Sequence, residues 1–283
     1  MRTIQKVIKG SWQNEGVGAK VIRSVGSRGF ERCDPFLMLD EFHVEQPAGF
    51  PAHPHRGFET LTYMISGEFQ HEDFMGNKGK IKSGDFQYMT AGRGVVHSEQ
   101  PFSKKAHGLQ LWINLPKSKK MMEPRYQDQI KENVPTTTIG DASIKVIAGD
   151  LNDTKANVFT QTPMCYFDIS LNGTTQIPLR NDFHGFLYIL EGECMVNDKL
   201  YDAHNTLVLN ECKNDQNLDT ISLTSKQPCR VFLIAGVPIN EPIAQRGPFV
   251  MNSEHEIAQA MQDFYEGKNG FEKAVGFEAS IDQ

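Results

Sequence analysis

Two pairs of candidate ligands constrain this chain most: His53-Pro54-His55 and, 44 residues later, His97-Ser98-Glu99. The members of each pair stand two residues apart. In a β-strand, residues i and i+2 point to the same face. Two such strands facing each other would aim three imidazoles and one carboxylate at one point. That donor set suits a divalent transition metal and leaves coordination positions open for water or substrate.

The rest of the chain agrees with an all-β reading. Short strand-like runs recur between turn residues, as at Thr60–Ile65, Phe69–Phe74, Phe86–Met89 and Gly108–Leu115. Ser66-Gly67, Gly76-Asn77-Lys78-Gly79 and Ser83-Gly84-Asp85 supply the turns. The theme then repeats. Tyr63–Glu68 resembles Tyr188–Glu193, and Leu109–Pro116 resembles Phe232–Pro238, at offsets of 125 and 122 residues. We therefore expect two β-domains, residues 1–133 and 134–283, with a polar joint around Asp128–Thr138. Helix is scarce. Ser253-Glu254-His255-Glu256 reads as a capping box, followed by Ile257, Ala260, Met261 and Phe264 on one face and a C-terminal Gly267.

If His53 and His55 face inward on one continuous strand, then Leu61, Tyr63 and Ile65 do too, while Phe58, Thr60 and Thr62 face away. Glu59 shares the inward parity and competes as a further ligand or a nearby base. Pro54 has no N–H, so its strand should lie at an edge or begin there. His71 is expected at the surface, and His107 in a core or surface role. His43, His184, His204 and His255 show no ligand-type partner at suitable spacing. No G-x-S-x-G and no Cys/His nucleophile arrangement is present.

Bulk properties exclude several classes. The formal net charge is −6, so no overall basic field is available to grip nucleic acid. Lys117-Ser118-Lys119-Lys120 reads as a solvated turn. Cys33, Cys165, Cys194, Cys212 and Cys229 are scattered and odd in number, which argues for a reducing compartment and against a thiolate zinc site. No signal peptide and no membrane-spanning run is expected, and the cytoplasm is the expected location.

Longer motifs resemble a known family. Gly49–Thr60, His71–Phe74, Met89–Glu99, Gly108–Trp112 and Gly247–Asn252 together look like the pirins, a branch of the cupin superfamily. The resemblance implies a bicupin: two cupin-type β-barrels or sandwiches, a few short helices, and one mononuclear metal in the N-terminal copy. The ligands it implies are His53, His55, His97 and Glu99, with Glu59 behind them. The metal it implies is Fe(II), although this donor set would also accept Mn, Co, Ni, Cu or Zn. In the second copy, Pro178 and Arg180 fall where His53 and His55 stand, and Leu207–Asp215 offers no counterpart of His97, so that copy is expected to lack metal.

Two functions follow from the resemblance. One is a quercetin 2,3-dioxygenase-type activity, in which O₂ opens a flavonol ring. Glu99 would then be ligand and catalytic base, and Leu61, Tyr63 and Ile65 would contact the flat substrate. The other is an iron-dependent interaction protein, a transcriptional co-regulator that binds a protein partner without touching DNA and resides also in the nucleus. A monomer is expected in either case.

Overall fold

The computed structural model describes residues 1–15, 18–211 and 218–282, so Cys212 and positions 212–215 of the segment compared with His97 lie outside the described residues. The first half carries twelve strands: β1 Ile4–Lys9, β2 Gln13–Glu15, β3 Ala19–Arg23, β4 Phe36–Glu45, β5 Phe50–His55, β6 Phe58–Ser66, β7 Glu68–Asp73, β8 Lys78–Lys82, β9 Phe86–Thr90, β10 Val95–Pro101, β11 Lys105–Asn114 and β12 Arg125–Gln129. The second carries β13 Thr136–Ile139, β14 Ala142–Ala148, β15 Asp150–Leu151, β16 Thr154–Lys155, β17 Met164–Arg180, β18 His184–Glu191, β19 Glu193–Val196, β20 Lys199–Asp202, β21 Asn205–Leu209, β22 Leu218–Gly236, β23 Ala244–Arg246 and β24 Phe249–Met251. The single α-helix among the described residues is α1, Glu254–Glu266.

The strands pair into two separate units. In one, a seven-stranded sheet of order β12-β9-β6-β11-β4-β3-β2 accompanies a four-stranded sheet of order β5-β10-β7-β8. Phe42, Val44, Met64 and Ala106 from the first sheet pack with Phe69 and Ile81 from the second, which makes a sandwich with an apolar filling. In the other unit, β1-β21-β18-β22-β17-β14-β13 form one sheet, with β19 and β20 attached at β22. Its interior is apolar, built from side chains such as Ile144, Phe167, Ile177, Leu187, Leu207 and Leu233. Each sheet is open at both ends.

The internal repeat reappears as matched pairing. Tyr63 stands opposite Leu109 in the first unit, and Tyr188 opposite Phe232 in the second. A single cut at 133/134 does not describe the partition, however. Residues 1–11 group with the second unit, and 239–283 with the first. The reason is local at each end. β1 is the edge strand that pairs with β21. The buried Arg2 donates to the carbonyls of Asn210, Arg180, Asn181 and Phe183 at 2.6–3.0 Å. At the other end, Phe249, Met251, Ile257, Ala260 and Phe271 pack on Met89, Val95 and Val96.

Helix α1 forms as its ends dictate. The Ser253 side chain accepts from the Glu256 N–H, and Gly267 closes the helix in the left-handed region at φ 63°. Lys117–Lys119 is a short 3-10 turn, but Lys120 is not solvated. It is buried, and its Nζ donates to Gly57 O, Asn114 Oδ1 and Val250 O at 2.9, 2.6 and 3.1 Å.

The continuity expected from His53 to Ile65 fails. β5 belongs to the four-stranded sheet and β6 to the seven-stranded one, and the chain turns between them at Arg56-Gly57. Gly57 has φ 86°, and a Cβ there would run into the Val250 carbonyl, so only glycine makes this corner. The corner inverts the expected parity: Phe58 and Thr62, not Leu61, Tyr63 and Ile65, share a face with the histidines.

Candidate metal centre

β5 is an edge strand, which lets Pro54 sit in it without costing a ladder hydrogen bond. It runs antiparallel to β10, with His53 directly opposite His97 and His55 opposite Val95. On its other side, β10 pairs with β7 and sets Glu99 against His71. Period-two alternation therefore turns His53, His55, His97, Glu99 and His71 to one face.

The three imidazoles converge. Their ring centroids are 4.7 Å (His53–His55), 4.6 Å (His53–His97) and 4.8 Å (His55–His97) apart. One ring nitrogen from each lies within 4.8 Å of the others. Glu99 stands beside this trio, with Oε2 3.8 Å from His97 Nε2. Thr62 Oγ1 lies 3.4 Å from Glu99 Oε1 and 2.5 Å from Gln110 Oε1.

The electrostatics favour neutral His55 and His97. Burial, then the neighbouring His53, holds His55 well below the ordinary histidine value. His97 is lowered in the same way, by burial and then by His53, His55 and His71. Burial raises Glu99, partly opposed by His53, His71 and the Thr62 hydroxyl. The ring nitrogens of His55 and His97 are buried, and no protein group hydrogen-bonds to them. Such nitrogens are costly unless something accepts their lone pairs, and a divalent metal does so. His53 Nδ1 is 2.8 Å from Pro51 O, so it carries the proton and leaves Nε2 as the donor atom. The residues present thus fit a bound metal.

Glu59 lies elsewhere. Tyr88 OH donates to its Oε2 at 2.8 Å and Thr90 Oγ1 to its Oε1 at 2.6 Å, on the opposite face of β6 from Thr62. His71, expected at the surface, is 5% exposed and stacks on Tyr126 at 5.7 Å. Gly79 opposes it on β8, and a Cβ there would collide with the imidazole Nε2. Phe58 and Trp112 wall the other side, 5.2 and 5.6 Å from the His55 ring. Spacing alone does not bring His71, Phe58 or Trp112 to the site, because each reaches it across a strand pair or a chain corner.

Spacing carries one further signal. Glu41-Phe42-His43 repeats the i, i+2 arrangement, and His43, expected without a ligand-type partner, groups with Glu41 and His107. Among the described residues, the two groups of three donors lie on different sheets of the same unit.

Residues 18–113 match the pirin family, and residues 165–270 match the pirin C-terminal cupin domain. Over 279 residues the chain is 48% identical to a pirin-like protein of Solanum lycopersicum, which covers 96% of this chain and 94% of that one. Pirin of Homo sapiens is 43% identical over 279 residues, covering 95% and 94%. The solved quercetin 2,3-dioxygenase of Acinetobacter baumannii aligns with a TM-score of 0.87 at 31% identity, covering 96% of this chain and 99% of that one. None of the described helices is long and apolar enough to cross a membrane.

Proposed function

The chain belongs to the pirin family of bicupins, and from that premise we propose that its N-terminal cupin is a mononuclear metal site that opens the central ring of a flavonol with dioxygen, releasing carbon monoxide. The observation that carries this reading is the trio His53, His55 and His97, in which the buried nitrogens of His55 and His97 have no hydrogen-bond partner in the protein and whose neighbour is Glu99. The likeness to a quercetin 2,3-dioxygenase gives the substrate class.

In this reading His53, His55, His97 and Glu99 hold Fe(II). The same donors would accept Mn, Co, Ni, Cu or Zn, since affinity alone does not select iron. The metal, when bound, supplies Lewis acidity and redox chemistry at open coordination positions. Glu99 accepts the proton of the flavonol 3-hydroxyl at a carboxylate oxygen, which leaves the ring electron-rich. Its burial favours that role, because a carboxylate with little water around it takes up a proton more readily. Thr62 hydrogen-bonds Glu99 and keeps it turned toward the donor set. Trp112, backed by the fully buried Phe58 with ring centroids 4.5 Å apart, offers a flat apolar wall for an aromatic substrate, in place of Leu61, Tyr63 and Ile65. The second cupin, with its apolar interior, acts as scaffold in this reading.

Metal analysis of the purified protein, combined with quercetin turnover under air and under nitrogen, tests the reading. One iron per chain and O₂-dependent carbon monoxide release are expected. No turnover by fully iron-loaded protein would overturn the enzymatic reading in favour of an iron-dependent interaction protein. Carbon monoxide release that survives Glu99→Ala would remove Glu99 from its role as base.

A further inference from the structure

We propose that Glu41, His43 and His107 form a second metal site, built for zinc or a similar late divalent transition metal, on the face of the seven-stranded sheet turned away from the sandwich interior. The face follows from alternation. Phe42, Val44 and Ala106 belong to the apolar filling of the sandwich, so Glu41, His43 and His107 point the other way. His107 stands directly opposite His43 in the β4–β11 ladder, and Glu41 is two residues along β4. The construction matches the first centre: an i, i+2 pair on one strand, completed from its antiparallel neighbour.

The donor atoms are close enough to share one ion. His107 Nε2 lies 2.9 Å from Glu41 Oε1, and His43 Nε2 lies 3.8 Å from the same oxygen. The two imidazole centroids are 4.1 Å apart, with their planes at 48°. Two neutral imidazoles and one carboxylate, with water in a fourth position, are a regular tetrahedral zinc set. Exposure is graded in a useful way: the side chains of Glu41, His107 and His43 are 3%, 18% and 50% exposed. The carboxylate is thus fixed in a poorly hydrated place beside two rings, and the His43 side opens to solvent as an entry path. Lys20, opposite His43 on β3, is exposed and adds one positive charge at the rim. A zinc ion here would pin β4 to β11, which already pair as antiparallel neighbours.

The two tryptophans of the chain allow each centre to be read separately. The Trp12 ring lies edge-on to His43 at 4.5 Å, whereas Trp112 lies edge-on to His55 at 5.6 Å. In the Trp112→Phe variant, Trp12 is the sole tryptophan.

The experiment starts from metal-free full-length protein carrying His53→Ala and His97→Ala, which disable the first centre. Equilibrium dialysis against micromolar Zn²⁺ should still load one ion per chain. Adding His43→Ala, a substitution at a half-exposed position, should weaken binding at least as much as the roughly tenfold to hundredfold that loss of a supporting partner costs a metal site. His107→Gln is the second variant, and far-UV circular dichroism verifies folding of each. Separately, Cu²⁺ should quench Trp12 emission in Trp112→Phe protein, and His43→Ala should abolish that quenching. Absence of zinc uptake by the His53→Ala/His97→Ala protein, or uptake and quenching indifferent to His43→Ala, would overturn the proposal. Failure of the first centre to bind metal would leave these outcomes unchanged.

Discussion

Arg56 and Asp263 are 207 positions apart in the chain, yet Arg56 Nη1 donates to Asp263 Oδ2 at 2.7 Å. Both side chains are buried. Arg56 follows His55 directly, and its remaining donors go to Arg93 O and Asn269 O, while its guanidinium lies over the Phe271 ring at 4.7 Å. Helix α1 is therefore fastened to the corner that follows the histidine pair.

Asp263→Asn should cost about 3 kcal/mol, the lower end of what breaking a buried pair from one side costs, measurable by urea denaturation. The pair also predicts an acid limit. Burial pushes the Asp263 carboxyl up, but hydrogen bonds from Arg56, Gln259 and Asn269 outweigh it and hold the group below its usual value. A depressed folded-state value means that the carboxylate stabilises the fold above the ordinary aspartate range of about 4 and that this contribution disappears as pH falls through the depressed value. Stability should thus fall on acidification below about pH 4, and Asp263→Asn should flatten that part of the profile. An unchanged slope would remove Asp263 from the acid response.

Gly57→Ala should destabilise the protein by roughly 1–3 kcal/mol from backbone strain alone. The collision of the new methyl with the Val250 carbonyl adds to this. Because the substitution lies two residues after His55, metal content after dialysis should fall as well. A stable, fully metallated Gly57→Ala protein would show that the corner tolerates a side chain.

Trp112→Ala should leave metal content intact and raise the KM for quercetin. Aromatic pairs contribute about 0.5–1.5 kcal/mol beyond area burial, so a KM increase of about tenfold is the expected upper range. An unaltered KM would exclude Trp112 from the substrate wall.

Lys120→Met should cost about 3 kcal/mol or more, because the carbonyls of Gly57 and Val250 and the amide of Asn114 would lose their shared donor. Burial already pushes the Lys120 ammonium down to about 8, so the contribution comes from its hydrogen bonds, and thermal denaturation checks it. A variant as stable as the parent would show that these acceptors find other partners.

Much of the fold is legible in the residues. Alternation, turn residues and the Tyr63/Tyr188 repeat point to two β-units, and the Ser253 and Gly267 caps bound α1. The convergence of His53, His55 and His97 follows from i, i+2 spacing once β5 and β10 pair. His71 and Trp112 were not legible, since their approach depends on the β7–β10 pairing and on the contact across the sandwich. Nor was the exchange of termini, because β1 meets β21 across some two hundred residues.

The boundary between the two kinds of information is physical. Covalent geometry makes side chains alternate along any strand, so which residues can share a face is a local property, written in spacings such as His53/His55, His97/Glu99 and Glu41/His43. Which strands become neighbours, and where a strand stops, depends on distant groups. The Val250 carbonyl admits only glycine at position 57, and that corner sends Phe58 and Thr62, instead of Leu61 and Tyr63, toward the histidines. His107 likewise became a partner of His43 only when β11 folded back along β4. Alternation is a short-range consequence of bond geometry, whereas register and strand neighbourhood are selected by packing across the whole unit.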